Sequence, residues 1–137
     1  MKKFRPQPVN AAQIDRFLKG AEKKLVSARQ VLAIDEEASL QLAYEAMLKA
    51  SIGFMLSYGY RARSQPGHHM AIIEFVRARM DKRHAPLLTI VERLRRKRNM
   101  ALYDETGFVT IQEAEQALEA AREYLALIRR DIKSRMP

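Results

Sequence analysis

Apolar residues recur along most of this chain at intervals of three and four, the spacing that lays one stripe along a helix. From Asn10, a candidate N-cap, the positions Ile14, Phe17, Leu18, Ala21, Leu25, Ala28 and Leu32 form such a stripe and predict a first helix of about 24 residues. Asp35 is placed to cap a second helix, with Glu36 and Glu37 near its positive end. Its inward line runs Leu40, Tyr44, Met47, Ser51, Met55 and Tyr58, flanked by Leu48, Ile52 and Phe54. Apolar side chains thus cover more than half its circumference, and it is expected to be the most buried element. Gly53 inside it costs about 1 kcal/mol relative to Ala unless another backbone approaches closely, and Gly59 is a natural stop.

The Gly and Pro residues of Gly59–Gly67 mark a loop. A shorter third helix is predicted over 68–80, with Ile72, Phe75 and Val76 facing inward, and a break at 81–85 follows. Pro86 suits the first turn of a fourth helix that ends near Tyr103, because its missing N–H is no loss there. The segment 104–109 turns at Gly107. Thr110 and Glu113 then form a capping box for a last helix, whose stripe is Ala114, Ala117, Leu118, Ala121, Tyr124, Leu125 and Ile128 and which runs to about Arg135. Pro6 and Pro8 make residues 1–9 an extended arm, and no strand signal is visible anywhere. The expectation is an all-α, five-helix up-and-down bundle: an arm (1–9) and a single helical domain (10–137).

Composition narrows the function classes. With 137 residues, 47% of them apolar, the chain suits one domain with one core and is too apolar for a disordered segment. No run of about 18 apolar residues exists to span a bilayer, and the basic start Met1–Pro6 lacks the apolar stretch of a signal peptide, so a cytoplasmic protein without a membrane partner is expected. Zero cysteines exclude a disulfide scaffold, thiolate catalysis and thiolate-held metals. His68 and His69 are adjacent rather than four apart, so no metal site is expected, and no Gly-rich phosphate loop or Ser elbow suggests a cofactor.

The formal charge of +9 is concentrated. Residues 61–98 hold eleven basic side chains against three acidic ones, a net of +8, together with all three histidines. Such a field draws polyanions, although a merely solvated basic surface accounts for charge alone equally well.

The fourth helix breaks its own pattern. Positions 87, 91, 94, 98 and 101 step by four, three, four and three, so the line of Leu87, Val91 and Leu94 leads to Arg98. A guanidinium cannot shed its charge and needs a partner when it is desolvated. Beside this line, Arg95, Asn99 and Tyr103 are four apart and share a face. Guanidinium forks suit phosphate, an amide can read a base edge, and a phenol can stack on a base. The alternative is structural: Arg98 reaches out of the stripe to water, or pairs with an acid such as Glu45.

The run Arg95–Asp104 (Arg-Arg-Lys-Arg-Asn-Met-Ala-Leu-Tyr-Asp), the Ala43–Ala50 stretch of the second helix and the Gly67-His68-His69 start of the third resemble the HEPN (higher eukaryotes and prokaryotes nucleotide-binding) superfamily over about residues 14–130. That resemblance aligns Arg98 with the family's motif Arg, Asn99 with its polar neighbour and Tyr103 with its His. It implies a homodimer whose seam holds the Arg98 end of the fourth helix. It also implies a bacterial toxin–antitoxin, stress or defence setting.

Members with Tyr in place of His resemble a branch thought to be non-catalytic, and a phenol with a reference pKa of about 10 is a poor general base. Non-catalytic binding of RNA or a nucleotide phosphate is therefore expected. Arg95, Lys97 and Arg98 would contact phosphate, Asn99 would orient the ligand, Tyr103 would stack, and His69 would lie nearby. Because His68 and His69 are adjacent, at most one is expected to face any given site. Two alternatives stand beside this reading: a metal-independent ribonuclease using Arg98 with Tyr103 or a third-helix His, and a protein-binding partner of a nucleotidyltransferase.

Overall fold

The computed structural model describes residues 4–64, 67–103 and 109–136, and for 101–103 the backbone alone. Five helices carry the chain: α1 (Ala11–Val31), α2 (Glu36–Ser57), α3 (His68–Arg79), α4 (Ala85–Tyr103) and α5 (Ile111–Arg135). The bundle is the expected up-and-down arrangement. Its caps are the predicted ones. Asn10 accepts from the amide of Gln13 and Asp35 from that of Ala38, both at 3.0 Å. Thr110 and Glu113 cap each other, through the Thr110 amide to Glu113 Oε1 at 3.0 Å and the Glu113 amide to Thr110 Oγ1 at 3.1 Å. Each satisfies end amides that a helix cannot pair internally.

Helix α2 is the centre, packed by α1, α5, α3 and α4. Its Leu40, Tyr44, Met47, Phe54 and Met55 are fully buried, as the width of its apolar face requires. Gly53 is explained by a side chain rather than a backbone: a Cβ there would come within 3.1 Å of Leu18 Cδ2 and 3.6 Å of Phe17 Cβ, so its absence lets α1 settle against α2. Deeper in the core, Ser51 donates to the carbonyl of Met47 at 2.8 Å and lies 2.7 Å from the Tyr124 hydroxyl. Since the Ser51 proton is committed to Met47, Tyr124 is the donor of that pair, and it ties α5 to α2 with both hydroxyls satisfied.

Two expectations need correction. The absence of strands fails: β1 (Phe4–Pro6) pairs antiparallel with β2 (Tyr60–Ala62), in the register Phe4↔Ala62, Arg5↔Arg61, Pro6↔Tyr60. Three-residue strands are too short to show a period of two, and Pro6 is tolerated because a two-stranded ladder is all edge. The ladder carries the N-terminal segment back over the body, where Gln7 donates its amide to the Gly59 carbonyl at 2.9 Å and the Phe4 ring meets Phe75 edge-on at 5.2 Å. Gly59, at φ +82°, makes the reversal after α2 that a side-chain-bearing residue would resist.

The second correction is in α4. The helix starts at Ala85, preceded by a 3₁₀ turn (Lys82–His84), and the leucine that reaches the core is Leu88, 2% exposed, while Leu87 is only partly buried. The turn at Gly107 lies outside the described residues.

Candidate functional site

Helix α4 lays Leu88, Val91 and Leu94 against the core, and the same line then reaches Arg98. Arg98 is half-buried. Its Nε is shielded from solvent and, among the described residues, has no hydrogen-bond partner. Nη1 donates to Oδ1 of the neighbouring Asn99 at 3.2 Å, and Cζ lies 5.5 Å from the centre of the Tyr44 ring on α2. Glu45, the acid that could have balanced it, instead stands 3.3 Å from Lys24 Nζ. Among the described residues no carboxylate pairs with Arg98. The sequence pattern placed a cation on this inward line, and the structure sets it over an aromatic face with one buried donor unspent among the described residues.

Next to it, reached through Asn99, α3 and α4 border an open cavity of about 490 Å³, lined by the first turn of α3 (Gly67–Met70), by Ser64 and by Arg95 and Asn99. Gly67 precedes the helix with φ 79°, and no side chain caps it. The amide of Ala71 is the first to return to a helical carbonyl, that of Gly67 at 3.1 Å. The amides of His69 and Met70 therefore have no acceptor within the helix and add to the positive character of this wall.

Both histidines line the cavity, with rings T-shaped at 4.4 Å, which corrects the expectation that only one would face it. At the very end of a helix the wall is the end itself, so successive side chains can border one hollow. Burial lowers the pKa of His69 below its ordinary value, and His68, Arg98 and Arg95 lower it further. The ring sits 6.3 Å from that of Tyr44. Burial pushes the Tyr44 phenol up, while Arg98 and Arg95 pull it the other way.

The predicted residues separate into groups. His69, Arg95 and Asn99 meet at the cavity, and Arg98 stands beside Asn99. Arg95 is not a bare cation. Its Nη2 and Nε donate to Glu92 at 2.8–3.3 Å, and only 13% of its side chain is exposed. That bond holds the Glu92 carboxyl below the usual range and raises Arg95 in turn. Lys97 lies apart, on the side of α4 that faces α5, with Nζ 3.1 Å from Glu113 Oε2. The side chain of Tyr103 lies outside the described residues.

Sequence reasoning missed Tyr44, taken as core alone, and Glu92, which sets the direction of Arg95. A tyrosine on a buried stripe carries a hydroxyl that needs company, and Glu92 stands three residues before Arg95. Those signals were available, but not their convergence. Among the described residues no cluster of His or acidic side chains could hold a metal ion, and no helix is long and apolar enough to cross a membrane.

No family model and no curated protein matches the sequence. The fold, however, is similar to a solved one. The crystal structure of an archaeal HEPN homologue superposes with a TM-score of 0.67 at 20% identity, over 88% of this chain and 98% of that one.

Proposed function

For a chain with the HEPN fold, in which a half-buried arginine keeps a donor with no partner among the described residues beside a cationic hollow, we propose non-catalytic binding of an RNA or nucleotide phosphate. The observation that carries this reading is the Arg98 Nε. An orphaned buried donor costs about 1–3 kcal/mol, and a phosphate oxygen would relieve that cost. Asn99, which already accepts from Arg98, orients the guanidinium, while the first-turn amides of His69 and Met70 on α3 and the Arg95 edge add further donors. Two members of the predicted set change weight. Arg95 has to share its fork with Glu92, and Lys97 serves the α4–α5 contact unless it swings away from Glu113. Tyr103 keeps its stacking role as part of the proposal. The seam of a homodimer formed around the Arg98 end of α4 would enclose the hollow and strengthen every contact in it.

One observation favours a second reading, metal-independent ribonuclease action. His69 lines the same cavity as Arg95, and an imidazole is the side chain best suited to proton transfer near neutral pH.

Two measurements decide. Titration with a labelled RNA should show affinity falling roughly sevenfold to twentyfold between 50 and 200 mM salt for about two to three phosphates engaged on a single strand. Arg98→Gln should abolish most of that affinity, whereas a flat salt response would overturn the phosphate reading. Incubation of the same RNA in EDTA should leave it intact. Cleavage lost on His69→Gln and on Arg98→Gln would establish the nuclease instead.

A further inference from the structure

The hollow at Arg95 and Asn99 does not end at the α3 helix start. Ser64 and His68, which line it, also line a second cavity of about 350 Å³ on the other side of that turn. The floor of this second cavity is apolar, made by Phe17 of α1, Ile52 and Met55 of α2 and Ile72 of α3. Its rim is polar: Gln7, Gln13 and Arg61. We infer that this cavity is a nucleobase subsite, taking the base of a nucleotide adjacent to the one whose phosphate lies at His69, Arg95 and Asn99. The inference rests on the phosphate-binding reading above and extends it to a ligand class, a single-stranded oligonucleotide rather than a lone phosphate.

The chemistry of the walls selects the occupant. A flat heterocycle wants apolar surface above and below and hydrogen-bonding groups at its edge, and single-stranded RNA is read in this way, by stacking and by contacts to exposed base edges. Phe17, Ile52 and Met55 supply the first requirement. The second comes from a pair of carboxamides. Gln7 Nε2 donates to Gln13 Oε1 at 2.9 Å, which leaves a carbonyl oxygen on Gln7 and an amide nitrogen on Gln13, an acceptor and a donor, for a ligand.

Both carboxamides stand on fixed backbone. The Gln13 amide is held by the Asn10 cap, and the Gln7 amide by the Gly59 carbonyl where the β1–β2 ladder ends. Preorganised edge-reading groups of this kind lose little entropy on binding. Arg61, exposed on β2, adds positive charge at the wall of the second cavity, which a polyanionic chain would favour. The volume falls at the small end of the range of about 300–1,000 Å³ typical of ligand pockets, suited to one ring system and not to a whole nucleoside triphosphate.

The test compares two probes with the same sugar–phosphate chain: an adenylate tetranucleotide and its abasic counterpart, titrated at low salt in EDTA. The protein is expected to bind the base-bearing chain at least about fivefold more tightly, the low end of what one stacked base contributes. Gln13→Ala, which keeps the backbone cap, and Ile52→Trp, which fills the cavity, should bring the two affinities toward equality while leaving the abasic affinity as it was. Circular dichroism checks that Ile52→Trp folds, and Gln13→Ala carries the test if it does not. Arg98→Gln should weaken both probes together.

Equal binding of the two probes by the unmodified protein, with Arg98→Gln still weakening both, overturns the base subsite and leaves the phosphate reading standing. A preference for the base-bearing chain that survives both cavity variants places the base elsewhere and also overturns it. Failure of both probes to bind, or indifference to Arg98→Gln, removes the phosphate reading and this inference with it.

Discussion

Replacing Arg98 by Met should make the free protein more stable while removing its affinity for RNA. The magnitude follows from what the side chain does in the unliganded fold. Its Nε is buried with no partner among the described residues, a penalty of about 1–3 kcal/mol that the variant escapes. Against this, the variant forfeits one hydrogen bond, from Nη1 to Asn99 Oδ1, worth about 1 kcal/mol, and a cation–aromatic contact with Tyr44 at 5.5 Å, worth about 0.5–1 kcal/mol at a half-exposed site. Met has nearly the helix propensity of Arg, is unbranched, and leaves apolar surface on the line of Leu88, Val91 and Leu94, which returns about 1 kcal/mol through burial.

The balance is a gain of about 1 kcal/mol. Urea unfolding at 25 °C, with no nucleic acid present, should move the midpoint upward by about 0.3–1 M at an unchanged slope. A loss of more than about 1 kcal/mol would refute the reasoning. It would make Arg98 a strut that holds α4 on α2, with no donor left in want of a ligand.

Three further outcomes follow from the same geometry. Ser51→Ala should cost more than Tyr124→Phe, about 1–3 against about 1 kcal/mol in chemical unfolding. The first strands the buried Tyr124 proton without an acceptor, whereas the second leaves Ser51 still bonded to Met47; the reverse order would contradict the donor assignment. His69, titrated by NMR, should show a midpoint below 6.5, rising when oligonucleotide is added because a nearby phosphate favours the imidazolium. Since its folded value is the lower one, the unfolded chain takes up the proton first. The stability it contributes is complete above about pH 6.5 and is lost as pH falls from there through the folded value, a loss that His69→Gln should flatten. Thr110→Ala should cost about 1 kcal/mol in thermal or chemical unfolding, through the lost cap at the start of α5, and an unchanged midpoint would mean that the start of α5 is held by other contacts.

Much of this architecture is written in local chemistry. The caps at Asn10, Asp35 and Thr110, the stop at Gly59 and the stripes of α1, α2 and α5 depend on residues a few positions apart, so periodicity and end chemistry suffice to place them. The oddity of Arg98 was legible for the same reason: a cation at the next step of a leucine line is a local contradiction. What lay beyond the sequence was every pairing across distance. The Phe4–Pro6 strand exists only because Tyr60–Ala62 comes to meet it, and a three-residue ladder carries no pattern of its own. Leu88 displaced Leu87 because the angle at which α4 meets its neighbours sets which side of the stripe is covered.

The candidate site divides along the same boundary. By itself the sequence determined the helices, the caps at Asn10, Asp35 and Thr110 and the placement of a permanent charge on an inward line. The tertiary structure alone decided that Glu45 belongs to Lys24, that Lys97 turns to Glu113, that both histidines border one hollow and that Tyr44 lies under the guanidinium. Helix formation depends on neighbours along the chain. Which charge finds a partner depends on how whole helices rotate and approach, and that is set by the packing of all their faces at once.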